Sequence, residues 1–207
     1  MIKNVLIDVD GTIMDTREIF YKSLNETLKT FGLQTTDEKK LFGMSVDQTL
    51  TVLGIEEIAG IKKAWEDRFG ELSEETVLFP YIKEFMEELA SDGVKFIVVT
   101  SRSHATADSI CTHSEIGSYI CGCIAAEDTV QHKPNPEPIR KALEKYNLDS
   151  SESMYIGDTH QDFLTASQAG VVFGLAGWNK STDKDRYMLV FESPMDIVRY
   201  VRGEKNG

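Results

Sequence analysis

The chain has 207 residues, 41% hydrophobic and 27% charged, with 22 Lys and Arg against 34 Asp and Glu for a net charge of −12. That is enough for one good core, or a core plus a small inserted module, and the absence of a basic surplus argues against nucleic acid or an anionic membrane as partner. No apolar run approaches membrane-spanning length, no secretory segment follows Met1, and three cysteines are too few for a disulfide framework, so the expected compartment is the reducing cytoplasm.

Apolar, β-rich segments recur at 3–9, 95–100, about 120–125, 153–157 and 171–176. Ile82, Phe85, Met86 and Leu89 mark one face of a helix that Gly93 ends. Asn135 and Pro136 form a cap and first-turn signature for a helix through about Tyr146, and Ser193-Pro194 opens a last one. Strand–helix alternation of this kind predicts an α/β fold, a Rossmann-like doubly wound parallel sheet with its site at the strands' C-terminal ends. Residues 16–79 break the rhythm. Asp15 with Glu18 reads as a capping-box start, Phe20, Leu24, Leu28 and Phe31 continue at helical spacing, and no clear strand follows through Trp65 and Phe69. The economical division is an α/β core of 1–15 and 80–207 with an inserted all-helical cap of 16–79, hinged near Asp15–Thr16 and Phe79–Pro80. Met44, Trp65 and Phe69 read as cap core, and Cys121-Gly122-Cys123, in an apolar run, as buried structural thiols.

Chemistry concentrates at four places. Asp8 and Asp10 leave the first strand two residues apart and so point the same way. Two such carboxylates need a cation, a shared proton or a set of donors. The 95–100 strand ends in Thr100 and Ser101, Lys133-Pro134 follows the third strand, and Asp158 and Asp162 follow the fourth. A parallel sheet places all four at one edge, with carboxylates for a hard cation, one lysine and hydroxyl donors: an inventory for phosphoryl transfer. Taken singly, Thr100 reads as an ordinary strand-end hydroxyl, Lys133 as a solvated charge, Asp162 as a helix cap, and His132 and His160 as loop residues.

Together, Asp8-x-Asp10-Gly11-Thr12, the strand ending in Thr100, Lys133-Pro134-x-Pro136 and Gly157-Asp158-x-x-x-Asp162 resemble, in order and over nearly the whole chain, the haloacid dehalogenase-like superfamily, in its branch of small phosphatases similar to phosphoglycolate phosphatase. The resemblance implies that Asp8 is a nucleophile forming an aspartyl-phosphate and Asp10 a general acid and then base. It implies that Thr100 and the Ser101 amide hold phosphoryl oxygens, and that Lys133 neutralises them and Asp8. Mg²⁺ is the implied cofactor, on Asp8, Asp158 and the Asp10 carbonyl, with Asp162 in the metal shell or orienting it or the lysine.

The resemblance also implies a cap that closes on the site and selects substrate. Gly43 and Ser45 lie in the turn that matches a substrate-facing loop, and Arg17 and Arg102 are candidates for a second anionic group. A small phosphorylated substrate, phosphoglycolate-like or a sugar phosphate, is expected, with inorganic pyrophosphate as an alternative and the chain a monomer or homodimer. A phosphomutase similar to β-phosphoglucomutase is the competing reading, but Phe20 replaces the cap-hinge histidine of those mutases and the 43–46 turn lacks their neighbouring arginine. A non-catalytic binding protein fits poorly with intact Asp8, Asp10, Lys133 and Asp158.

Overall fold

The computed structural model describes residues 1–36, 39–55, 58–73, 76–179 and 184–204. Six parallel strands, β1 (Asn4–Ile7), β2 (Lys95–Val99), β3 (Ile120–Ile124), β4 (Ser153–Gly157), β5 (Val172–Ala176) and β6 (Val190–Phe191), form one sheet in the order β3-β2-β1-β4-β5-β6. The central strands are apolar throughout because both faces are covered. Alternate residues go to opposite faces. Val5, Ile7, Phe96, Val98, Met154 and Ile156 pack under one helical layer, while Leu6, Ile97, Val99 and Tyr155 pack under the other. Each fully buried large apolar side chain contributes about 2 kcal/mol.

The first layer comprises α4 (Ile82–Ser91) and α8 (Pro194–Arg202), and the second α6 (Glu137–Lys145) and α7 (His160–Ala169). The short α5 (His104–Asp108) follows β2 and runs into a π-helical turn, Ser109–His113. Strand order reverses around β1, and the loops after β1, β2 and β4 open at the same sheet edge, the crevice in which doubly wound folds bind ligands.

Between β1 and α4 the chain makes α1 (Arg17–Thr30), α2 (Val46–Leu53) and α3 (Ile61–Ser73). These enclose a cluster of their own that includes Phe20, Leu24, Leu28, Leu41, Leu50 and Trp65. Phe20 meets Trp65 edge-on with centroids 5.4 Å apart, and the buried indole N–H donates to Ser23 Oγ at 3.0 Å. The two connections to the rest of the chain run side by side: Met14 bridges Leu78, and the Phe79 amide donates to the Ile13 carbonyl at 2.9 Å.

Three local expectations are corrected, and one strand, β6, adds to them. Thr16, not Asp15, precedes the first turn of α1, its side chain caps nothing in the helix, and Asp15 is exposed. Helix α6 begins at Glu137 with Pro136 at its cap position, so the helix starts one residue later than expected, while Asn135 Oδ1 still accepts from the Glu137 amide at 2.9 Å. Cys121 is exposed and Cys111 and Cys123 are half-buried, since β3 is the edge strand and is covered less completely. The two-residue β6 is too short to carry a periodic signal.

Candidate active site

Asp8 leaves β1 into the crevice, its amide still donating to the Ile156 carbonyl of β4 at 2.9 Å. Lys133, from the loop before α6, places Nζ 2.9 Å from Asp8 Oδ1 and 2.8 Å from Asp162 Oδ1, and all three side chains are buried. Burial alone would lower the ammonium's pKa, but the Asp162 and Asp8 carboxylates outweigh it and raise it above the usual lysine range. For Asp8 burial dominates. Its carboxyl is pushed up to about 7 against the opposing charge of Lys133, with Asp162 and Asp10 adding to the rise.

Asp162 has a saturated environment. Oδ1 accepts from Lys133 Nζ at 2.8 Å and from the Tyr155 hydroxyl at 2.9 Å, while Oδ2 accepts from the Thr159 amide at 3.0 Å and hydroxyl at 2.5 Å. The Thr159 contacts belong to the capping box that starts α7. Gly157 lets the carboxylate lie this close to β4, because a Cβ there would sit 2.6 Å from Asp162 Cβ. The Tyr155 hydroxyl also lies 3.2 Å from the Val99 carbonyl, and Lys133 Nζ sits 5.2 Å from the Tyr155 ring centroid. Nothing in the sequence separates Tyr155 from the core residues of its strand.

Asp10 is held differently. Arg102 donates to it twice, Nε to Oδ2 at 2.9 Å and Nη2 to Oδ1 at 2.7 Å, and the Thr16 hydroxyl donates to Oδ1 at 2.6 Å. Burial acts upward on this carboxyl, but Arg102 and Thr16 outweigh it and hold the pKa below the usual range. The guanidinium is positioned by the Thr106 carbonyl, 3.3 Å from Nη1, and by the Phe69 ring of α3, whose centroid is 4.7 Å from Cζ. Thr100 is buried at the end of β2, and its hydroxyl accepts from the Arg102 amide at 3.1 Å.

Asp158 is fully buried beyond β4. Its Oδ2 accepts from Asn179 Nδ2 at 2.8 Å and lies 3.6 Å from Arg17 Nη2. Burial, reinforced by Asp162 and Asp8, pushes its carboxyl well up, while Arg17 and Lys133 oppose the shift. Gly11, at φ +81°, lets the β1 loop pass so close to Asp158 that a Cβ would overlap the carboxylate. Asn179 fastens the same loop by donating to the Gly11 carbonyl at 2.9 Å. No motif in the sequence marks this asparagine.

Asp8, Asp158 and Asp162 each offer one oxygen within 4.8 Å of the others, all buried. Hard carboxylate oxygens in a buried, anion-rich cluster suit Mg²⁺. The donor set fits best through Asp8 and Asp158, since both oxygens of Asp162 are already engaged.

The helices between β1 and α4 lie over Asp8 and Asp10, leaving a cavity of about 50 Å³. Phe20, Met44, Val46, Trp65 and Phe69 line it, so Met44, Trp65 and Phe69 are cavity wall as well as part of the α1–α3 cluster. Gly43 is at the cavity, and its carbonyl accepts from the Ser101 hydroxyl at 3.0 Å. Ser45 is buried and spends its hydroxyl on the α2 capping box with Gln48, away from the cavity lining. Gln48 in turn donates to the Lys133 carbonyl at 2.8 Å. Arg17 lies against the Phe42 ring, 4.2 Å from the centroid, beside Asp158. The structure thus brings Asp8, Asp10, Thr100, Ser101, Arg102, Lys133, Asp158, Asp162 and Arg17 to one sheet edge, and both arginines meet carboxylates there.

Comparisons with known proteins agree with this architecture. A family model described as haloacid dehalogenase-like hydrolase matches residues 5–176. A protein of Caldanaerobacter subterraneus subsp. tengcongensis, provisionally assigned as the pyrophosphatase PpaX, is 30% identical over 96% of this chain and 94% of its own. The pyrophosphatase PpaX of Bacillus cereus is 29% identical over 86% of this chain and 84% of its own. A crystal structure from Lactobacillus plantarum, provisionally assigned as a phosphoglycolate phosphatase, superimposes with a TM-score of 0.86 at 29% identity, covering 96% of this chain and 99% of that one. The chain belongs to the haloacid dehalogenase-like hydrolases and is an enzyme of that family.

Proposed function

We propose that the chain is a Mg²⁺-dependent phosphatase that hydrolyses a small phosphorylated metabolite through an aspartyl-phosphate on Asp8, with 1–15 and 80–207 as catalytic core and 16–79 as cap. The observation that carries this reading is Lys133, poised between Asp8 and Asp162 at 2.9 and 2.8 Å with Asp158 alongside. Asp8 attacks phosphorus, the bond from phosphorus to the leaving oxygen breaks, and that oxygen takes a proton from the Asp10 carboxyl. Asp10 then takes a proton from water as the water attacks the phosphoryl group, which restores Asp8 and releases phosphate.

Lys133 neutralises the nucleophile's surroundings, and Thr100 with the Ser101 amide holds phosphoryl oxygens. Asp162, saturated by four donors, holds the lysine in place. Bound Mg²⁺, held by Asp8, Asp158 and the Asp10 carbonyl, would supply charge neutralisation for the phosphoryl oxygens. Because Arg102 keeps Asp10 ionised at rest, the acid role requires that ion pair to loosen as phosphate enters.

Phosphate release measured across phosphorylated metabolites, with Mg²⁺ and with chelator, tests the reading. Mg²⁺-dependent turnover that disappears in Asp8→Asn supports it, and no release from any compound refutes it. Pyrophosphate is the second reading, favoured by the names of the PpaX relatives.

A further inference from the structure

The cap half of the cavity differs in character from the catalytic half. Its walls are the apolar side chains of Phe20, Met44, Val46, Trp65 and Phe69, and the charged residue that the cap adds is an acid, Glu66, one position after Trp65 on α3. Among the described residues Arg102 is the cation lining this cavity, which three carboxylates, Asp8, Asp10 and Glu66, also line. All three guanidinium nitrogens of Arg102 are committed: Nε and Nη2 to Asp10, and Nη1 to the Thr106 carbonyl. Lys62, one turn before Glu66, lies outside this cavity and is held by Asp47 at 2.8 Å. A second anion on the leaving group would therefore approach Glu66 across an apolar wall that screens charge poorly.

We propose that Glu66 sets leaving-group specificity: the substrate is a phosphomonoester whose alcohol presents hydrogen-bond donors and carries no second negative charge. The proposal rests on the phosphatase reading above and narrows it. A half-buried carboxylate is an acceptor with nothing to donate, so it favours hydroxyl or ammonium groups and disfavours phosphate or carboxylate at the same place. The aromatic faces of Trp65 and Phe69 suit the C–H surface of a polyol or the face of an ammonium group. Burial raises the Glu66 pKa, with Lys62 opposing, as befits a carboxylate beside poorly solvated space.

The test is kcat/KM for phosphate release, with Mg²⁺, on two sets of compounds matched in size. One set comprises polyol, sugar and aminoalcohol monophosphates, and the other pyrophosphate and phosphoglycolate. Wild type should favour the first set by at least ~10-fold, the scale of one poorly screened like charge discounted for partial exposure. Glu66→Lys should move the ratio at least ~10-fold towards the second set, and Glu66→Gln should move it the same way by less. Wild type preferring pyrophosphate or phosphoglycolate, or a ratio unmoved by both variants, overturns the specificity claim while leaving the phosphatase reading standing. Absence of release from either set removes that reading and the inference with it.

Discussion

Arg102 and Asp10 meet side-on, guanidinium to carboxylate, through contacts of 2.9 and 2.7 Å across 92 residues of sequence. A paired fork of this kind fixes both groups' orientation and keeps the carboxylate charged. It also links α3 to the loop after β1, because the guanidinium lies over the ring of Phe69.

Arg102→Lys should lower kcat/KM by about 10-fold or more, since a point charge cannot reproduce two parallel contacts. Losing the fork should also move the Asp10-dependent limb of the kcat/KM pH profile, which reports the free enzyme, upward, because Arg102 is the main influence holding that carboxyl low. Steady-state kinetics from pH 4 upward measure both. An unshifted limb would separate Arg102 from the acid–base group.

Tyr155→Phe keeps the ring beside Lys133 and removes one of the four donors to Asp162. A buried acceptor left short by one hydrogen bond costs about 1–2 kcal/mol of stability, readable by chemical denaturation. The looser Asp162 should reduce kcat several-fold with KM nearly unchanged. An equal fall in stability with kcat intact would confine Tyr155 to packing.

Asp158 and Asp162 should respond differently to metal. Asp158→Asn is expected to raise the half-saturating Mg²⁺ concentration by at least ~10-fold, as loss of a ligand does. Asp162→Asn should lower kcat while leaving the Mg²⁺ requirement close to wild type, because its oxygens already serve Lys133, Tyr155 and Thr159. Mg²⁺ titrations of the two variants decide the assignment, and the reverse pattern contradicts it.

Asp8 has a folded pKa of about 7, above the ordinary aspartate value of 3.8. The folded protein therefore binds an extra proton between those values, and the stability this group contributes is full below about pH 4 and is lost as pH rises through 7. Asp158, also raised, acts in the same direction. Asp10 and Asp162, whose carboxyls are held low, give up their contribution only at more acid pH. Metal-free protein should thus lose Tm between about pH 5 and pH 8, the slope should flatten in Asp8→Asn, and Mg²⁺ should stabilise more at the alkaline end. Thermal denaturation across that range checks all three.

The sheet and the positions of Asp8, Thr100, Lys133 and Asp158 were legible because parallel strands bury both faces and gather their C-terminal loops at one edge. An apolar run that ends abruptly in an acid or a hydroxyl shows both facts at once. Other residues carried no such mark. Tyr155 occupies a core position in its strand, and only the fold shows its hydroxyl reaching Asp162. Asn179 lies beyond the last long strand, far in sequence from the Gly11 carbonyl it fastens. Arg102 reads as an anion contact from its place after β2, yet Asp10 claims it. Trp65 and Phe69 have the spacing of helix core, which they are, and the closing of α3 over the crevice makes them walls of the cavity too. Spacing along one helix reports a buried stripe, not the element or cavity on the other side of it.

The central claim is that Asp8 carries the phosphoryl group during turnover, and the direct measurement is acid-quench mass spectrometry of enzyme mixed with a turned-over phosphomonoester and Mg²⁺. A single phosphoryl adduct on the peptide that contains Asp8, absent from Asp8→Asn and longer-lived in Asp10→Asn, is the predicted result. Rapid turnover by wild type with no adduct on that peptide at any quench time, together with appreciable activity in Asp8→Asn, would contradict it.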